Sequence, residues 1–421
     1  MCLSGNTYAA LNAANNGFPV TLETAIKRTI ANNPQLYEFD FKQKIIAGEA
    51  KTAALKPGYA VGVEVENFLG SGAVSGIKEM ELTLTLSSVI EMGDKLDARK
   101  NVSKVKRQML VVEKQLRSLD ILGEVMRRYI DVLAGQETIN AVSDAEQLAR
   151  YTYQAVTRRV EAGASPLLEK KRAEAALAAA RLKVETAKLQ LQTNIKSLAI
   201  MWGEQQPAFS QVQGDLFALT KSPSFQGLIS KLSTSPHIQV FAQRSRVQDA
   251  QLRLTQAANQ ADVSWTAGIR RVSGIDETAL VAGASVALFT ETRNFGNYAA
   301  QKAKLDQIEQ QKQASLRNLY HQINQSLDAR NRALLEVSIF QQNIIPPLKE
   351  ALTQVEQAYS DGRFSYLEWV STRQELLDAQ HTLIQSAKKA HQRGADIEAL
   401  TGISIVSLSR DNTSAPIYKE Q

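Results

Sequence analysis

The sequence predicts an α+β architecture, with a very long helix and a β-hairpin each laid down twice along one chain of 421 residues. Three observations carry this: two glycine-centred helix breaks half a chain apart, coiled-coil spacing before the second, and four alternating segments joined in pairs by Gly/Ser loops. The composition agrees. At 44% apolar, 22% charged and 6% aromatic, the chain is rich in Ala, Gln, Leu, Lys and Glu, a bias toward long helices.

The breaks read RRVEAGASPLLEKKRA at 158–173 and YSDGRFSYLEWVSTRQ at 359–374. Gly163 and Gly362 stand 199 residues apart, each followed six residues later by a glutamate, Glu169 and Glu368. Other features fall into the same register. TLETAIKRTIANNPQL (21–36) is a one-sided helix that stops at Asn-Pro, and FQGLISKLSTSPHI (225–238) does the same before Ser-Pro. Trp202-Gly203 closes one half and Thr401-Gly402 the other. The reading is an internal two-fold repeat of about 200 residues. An N-terminal segment 1–18 leads into repeat 1 (19–203), with hairpin 59–90 and a tip at 161–165. A linker, 204–224, leads to repeat 2 (225–402), with hairpin 264–289 and a tip at 361–365, and the tail is 403–421.

Within the second half Leu316, Leu319, Ile323, Leu327, Leu334, Val337, Ile344, Leu348, Leu352 and Val355 recur at spacings of three, four or seven, the coiled-coil period. The helix they predict, Arg293 to Ser360, is about 100 Å long, matched by Asp94 to Thr157 in the first half. Pro346-Pro347 must disturb it, since proline lacks the donor and clashes with the preceding turn. The return helices, 166–201 and 365–400, come to about 54 Å, and the helices 36–55 and 237–260 are shorter still.

Alternation marks the strands. Val61, Val63 and Val65 oppose Glu64 and Glu66 in 59–69, and Met80, Leu82, Leu84 and Leu86 oppose Glu79, Glu81, Thr83 and Thr85 in 77–90. Trp265, Ala267 and Ile269 oppose Thr266 and Arg270 in 264–272, and Leu280, Ala282, Ala284, Val286 and Leu288 line up in 278–289. Such segments suit either a sheet with one wet face or tilted strands crossing a bilayer. Four strands cannot close a barrel, and lipid forbids an open edge. If these hairpins enter a membrane, several chains must share one barrel, and three chains would give twelve strands.

Much is excluded. No apolar run is long enough for a transmembrane helix. Cys2 is the single cysteine, so there is no intrachain disulfide and no Cys-based zinc site. The histidines His237, His321, His381 and His391 lack metal-ligand spacing. The net charge of +6 is spread along mixed-sign helical faces, not gathered into a nucleic-acid footprint. Neither a phosphate loop nor a nucleophile elbow is present, so no enzyme activity and no cofactor is expected. The start, MCLSGNTYA, reads as the tail of a trimmed signal or as a lipidated Cys2, both pointing outside the cytoplasm. An ordinary cytosolic start is the alternative.

Taken together, TLETAIKRTIANNPQL, LFTETRNFGNYAAQKAKL (288–305) and the two glycine breaks resemble the outer membrane factors, the TolC-like efflux proteins of Gram-negative bacteria, from about Pro19 to Gly402. SSVIEMGDKLDARK (87–100) resembles the CzcC-like heavy-metal branch, with Met92, Asp94 and Leu96 where Leu, Gly and Arg are usual. The resemblance implies a homotrimer: a twelve-stranded outer-membrane barrel continued by an α-helical periplasmic tunnel. Its implied partners are outer-membrane lipid, a periplasmic adaptor and an inner-membrane RND pump, and most of the chain would lie in the periplasm.

On that resemblance Arg159, Gly163, Gly362 and Arg363 form the periplasmic tips where the adaptor docks. Ala358 stands where the second tip's arginine would be. Glu368 and Glu169 become candidate pore-gate carboxylates, against the plain reading of solvated first-turn glutamates favoured by the helix dipole. Glu64, Glu66, Glu79 and Glu81 become candidate barrel-lumen carboxylates. Tyr366 and Trp369 read as packing. The expected function is a passive exit duct for heavy-metal cations. Drug efflux, type I protein secretion, or a soluble periplasmic coiled-coil adaptor or scaffold stand as alternatives.

Overall fold

The computed structural model describes residues 19–406 and 408, so Cys2 and most of the tail lie outside the described residues. The helices are α1 (Leu22–Asn32), α2 (Pro34–Ala53), α3 (Lys95–Glu161), α4 (Leu167–Ala199), α5 (Phe225–Leu232), α6 (Pro236–Ala257), α7 (Thr290–Ile339), α8 (Ile345–Ser360) and α9 (Tyr366–Thr401). The strands are β1 (Ala60–Glu66), β2 (Glu81–Ile90), β3 (Val263–Val272) and β4 (Glu277–Val286). Two compact units emerge: a helical one from residues up to 37, 116–235 and 317 onward, and a sheet-bearing one from 38–115 and 236–316. No described helix is long and apolar enough to cross a membrane.

In the helical unit Thr21 caps α1, its hydroxyl accepting from the Thr24 amide at 3.1 Å. Ala25, Ile26 and Thr29 are buried, whereas Ile30 is exposed despite its place on the apolar stripe. The core gathers Ile26, Val125, Leu133, Leu198, Val212 and Leu216. Of the coiled-coil positions, Leu319, Ile323, Leu327, Val337 and Leu352 are buried. One π turn, Phe340–Ile344, separates α7 from α8. It falls where Pro346 and Pro347 would leave the carbonyls one turn back without donors, so the helix rewinds there instead of continuing.

Buried polar groups fasten the linker and the 402–406 stretch to this unit. Arg330, 1% exposed, donates to the carbonyls of Ala390 and Thr220 at 2.7 Å each. His391 holds the Leu216 carbonyl at 2.9 Å through Nε2, and burial pushes its pKa down to about 4. Glu398 accepts from the Ile405 and Val406 amides, and burial raises its pKa.

The other unit carries an antiparallel sheet in the order β1-β2-β3-β4, leaving β1 and β4 as edges. Its register places Val63, Leu84, Ile269 and Leu280 in one row across all four strands. Those side chains are exposed, Leu280 at 88%, as are Val61, Leu82, Leu86 and Val286 on the same face. The opposite face carries Glu64, Glu66, Thr83, Thr85 and Arg270. Three of the four strands, β1, β2 and β4, are shorter than the sequence predicts. β1 spans 7 residues, because Asn67 and Leu69 take positive φ (55° and 58°) and end the pairing. β2 starts at Glu81, so Met80 and Glu79 lie before it, and β4 stops short of Leu288.

The corner into α3 explains the 87–100 motif. Gly93 and Asp94 both adopt left-handed backbone, φ 75° and 54°, and aspartate is among the few residues that tolerate it. Lys95 then reaches Asp262 at 2.6 Å, Asp262 accepts the Met92 amide at 3.0 Å, and Arg99 forks onto Glu91. Those bonds hold the Asp262 and Glu91 carboxyls below their usual range despite partial burial.

Candidate functional site

The two glycine breaks come together in the helical unit, and they share one backbone device. At the first, the Gly163 amide meets the Val160 carbonyl and the Ala164 amide meets Arg159 O at 2.8 Å. At the second, Gly362 meets Tyr359 O and Arg363 meets Ala358 O, also at 2.8 Å. Both glycines sit in the left-handed region, φ 71° and 77°. This is how a helix satisfies its last carbonyls before turning back, and glycine alone takes that conformation without strain.

A single arginine serves both tips. Arg159 donates to the carbonyls of Tyr359 at 2.6 Å and Ser360 at 3.0 Å, and to Ser165 Oγ at 3.2 Å. Its guanidinium stacks 4.9 Å from the centre of the Tyr359 ring. The cation thus lies at the C-terminus of α8, where unpaired carbonyls concentrate negative charge. Ala358, at the equivalent place on the second tip, is buried and supplies only a backbone acceptor. Arg363 points elsewhere, pairing with Asp361 at 2.7 Å on the surface.

The two glutamates occupy the same position, third in their helices, and do different work. Glu368 closes a capping box with Ser365, accepting from its amide at 2.8 Å and its hydroxyl at 2.9 Å while the Glu368 amide bonds back to Ser365 Oγ. The Ser365 amide and hydroxyl hold its carboxyl below the usual range. Glu169 accepts instead from the Tyr359 hydroxyl at 3.0 Å, across to the other tip. Burial raises the Tyr359 phenol, and the Glu169 hydrogen bond adds to it.

Beneath the tips Val156, Ile345, Tyr359, Tyr366, Trp369 and Leu376 form a local core. Trp369 is 1% exposed and packs against Tyr359 at 5.0 Å between centroids, so Tyr366 and Trp369 are packing groups as the sequence suggested. Tyr359 is the residue sequence reading missed. It lies three positions before the glycine, and nothing in its own half of the chain marks it as the partner of Arg159 and Glu169.

In the sheet, Glu66 and Glu81 converge on Arg270, each with Oε2 at 2.9 Å, and Arg270 also donates to Thr83 Oγ1 at 2.9 Å. The Glu66 contact is an ion pair whose angles fall short of a hydrogen bond. Only Glu64, Glu66 and Glu81 lie on strands. Glu79 sits in the turn before β2, against Gly274, where any side chain would collide with its carboxylate. Of the four candidate lumen carboxylates, Glu66 and Glu81 are therefore paired with an arginine, Glu64 stands on β1, and Glu79 lies in a loop. No cluster of metal-ligating side chains occurs among the described residues, and His391 is committed to a backbone carbonyl.

Comparison with known proteins agrees with this fold. Residues 58–204 match the family model described as Outer membrane efflux protein. The cobalt-zinc-cadmium resistance protein CzcC of Cupriavidus metallidurans is 24% identical over 368 residues, 87% of this chain and 85% of that protein. Among solved structures, CusC aligns with a TM-score of 0.75 at 16% identity, covering 90% of this chain and 91% of its own. The outer membrane protein VceC of Vibrio cholerae aligns at 0.70 and 18%, covering 91% and 97%. The CmeC outer membrane channel of Campylobacter jejuni gives 0.72 and 17%, covering 93% and 87%. The chain has the fold of these outer-membrane channels, and its sequence is similar to the outer membrane efflux proteins over residues 58–204 and to CzcC over most of its length.

Proposed function

We propose that this chain is one protomer of a homotrimeric outer-membrane exit duct, which passively conducts heavy-metal cations handed over by an RND pump and a periplasmic adaptor. The observation that carries the reading is the sheet: one face is apolar and exposed, and both edge strands are unpaired within the chain. A lone sheet of this kind is unstable in lipid, because each unpaired backbone group there costs several kcal/mol. Pairing β4 of one copy with β1 of the next removes the edges, and three copies close twelve strands with the Glu64/Arg270 face inward. In this reading the two halves are copies of one unit and the helices continue the barrel as a tunnel across the periplasm of a Gram-negative cell. The tips would meet the adaptor, and no step of the transport is catalysed by this chain.

The metal assignment rests on the likeness to CzcC, whose name gives cobalt, zinc and cadmium resistance. A deletion strain grown against Zn²⁺, Co²⁺, Cd²⁺, Ni²⁺, Cu⁺ and Ag⁺ beside organic antimicrobials tests it. Sensitivity confined to metals supports the reading. Sensitivity confined to organic compounds removes the metals and keeps the duct, for drugs or secreted protein. Recovery of the chain in the soluble fraction, without detergent, would replace the duct with a periplasmic adaptor or scaffold.

A further inference from the structure

In the sheet-bearing unit a cleft of about 310 Å³ opens between α2 and α3, lined by Ala50, Lys100, Ser103, Lys104, Arg107 and Gln108. Its three cations follow one another at i, i+4 and i+7, the spacing that puts side chains on one face of a helix. Lys100 has a partial partner, Asp97, at 3.2 Å on the exposed surface. Lys104 and Arg107 have no acidic partner among the described residues, and no carboxylate lines the cleft. Their neighbour Lys106 pairs with Glu49 at 3.4 Å, so the pairing of this helix surface is interrupted at the cleft itself. Ser103, 8% exposed, adds a hydroxyl to the floor. A guanidinium fork, two ammonium groups and a hydroxyl around a small open volume suit a tetrahedral oxyanion.

We propose that this cleft binds the phosphate group of an anionic ligand, with Lys104 and Arg107 as its main contacts. The source we favour is a phospholipid headgroup, and this part rests on the sheet entering a membrane. Helix α3 begins at Lys95, five residues after β2 ends at Ile90. Lys100 and Arg107 are then roughly 8 and 18 Å along the helix from its start, within reach of a headgroup layer adjoining the strands. Cations so placed attract anionic headgroups in a salt-dependent way.

The test uses the full-length protein purified in detergent, with K104Q/R107Q beside it and K312Q as a control on an exposed, paired lysine. Both changed side chains are exposed, so folding is checked once by thermal unfolding. Retention of phosphatidylglycerol against phosphatidylethanolamine is read by native mass spectrometry, and inorganic phosphate binding by calorimetry. The expected result is a preference for phosphatidylglycerol that falls about tenfold in K104Q/R107Q and not in K312Q, and that weakens with salt. Phosphate binding lost in the variant, without lipid preference, keeps the anion site and assigns it to free phosphate. Equal behaviour of wild type and variant toward both probes overturns the proposal. Reconstitution into vesicles followed by carbonate extraction reads membrane insertion separately, so failure of the membrane reading is distinguishable from failure of the cleft.

Discussion

At the first tip Pro166 precedes helix α4, and at the second Ser365 precedes α9. The backbone of the two turns is otherwise alike, with glycine at the same place and the same amide-to-carbonyl closure. A capping box needs a side-chain oxygen and a backbone N–H on the residue before the helix. Serine offers both, so Glu368 turns inward on its own helix. Proline offers neither, so Glu169 is released from local duty and reaches Tyr359. One residue outside each helix thus decides whether a glutamate in its first turn is a cap or a bridge. Of the two candidate gate carboxylates, Glu169 is the one joined to the opposite tip.

Removing Arg159 should break the pair most severely. In Arg159→Ala the α8 carbonyls and Ser165 lose their charged donor together, a loss of about 2–3 kcal/mol in local stability. Amide exchange should quicken at both 161–167 and 359–366. Acceleration at the first tip alone would mean that the arginine does not couple them. The next largest effect is expected from Gly362→Ala, which forces a side chain into φ 77° and costs about 1–2 kcal/mol, read as a lower unfolding temperature. Gly163→Ala should cost the same, because neither glycine has a close neighbour that a methyl would strike.

Pro166→Ser sharpens the comparison. It supplies the missing cap, so α4 should gain about 1 kcal/mol while the Tyr359 hydroxyl loses Glu169. Slower exchange at 167–170, with the phenol titrating closer to its ordinary range, is the expected signature. Unchanged exchange there would show that the cap residue does not direct the glutamate. Tyr359→Phe, by contrast, should cost about 1 kcal/mol and leave the Glu368 box untouched, as exchange at 366–369 would report.

The smallest effect is acid dependence. The Glu368 carboxyl is held below its ordinary value of 4.5, so the box contributes fully above that pH and is lost as pH falls through the lowered value. Exchange at the α9 start should therefore rise under acid. Ser365→Ala should weaken that dependence without abolishing it, since it removes the hydroxyl while the Ser365 amide, the larger influence on the carboxyl, remains.

Much was legible beforehand. Helix positions, both tips, strand alternation and the break near Pro346 follow from local rules: periodicity, glycine's positive φ, proline's missing donor. Strand ends were less legible, because Asn67 and Leu69 in left-handed backbone interrupt a run that alternates perfectly well in sequence. The pairing of two candidate lumen carboxylates was hidden for a related reason. Arg270 is 189 residues from Glu81, and only the β2–β3 register brings them together. Asp262 at the α3 corner and Tyr359 at the tips escaped notice in the same way.

By itself the sequence determined where helices and strands form and where the chain turns back, since those depend on residues a few positions apart. Tertiary structure alone decided which charges neutralise one another and which glutamate bridges the tips. Those pairings cost nothing along the chain and exist only where packing brings remote segments within about 3 Å, the range in which a hydrogen bond or ion pair acts.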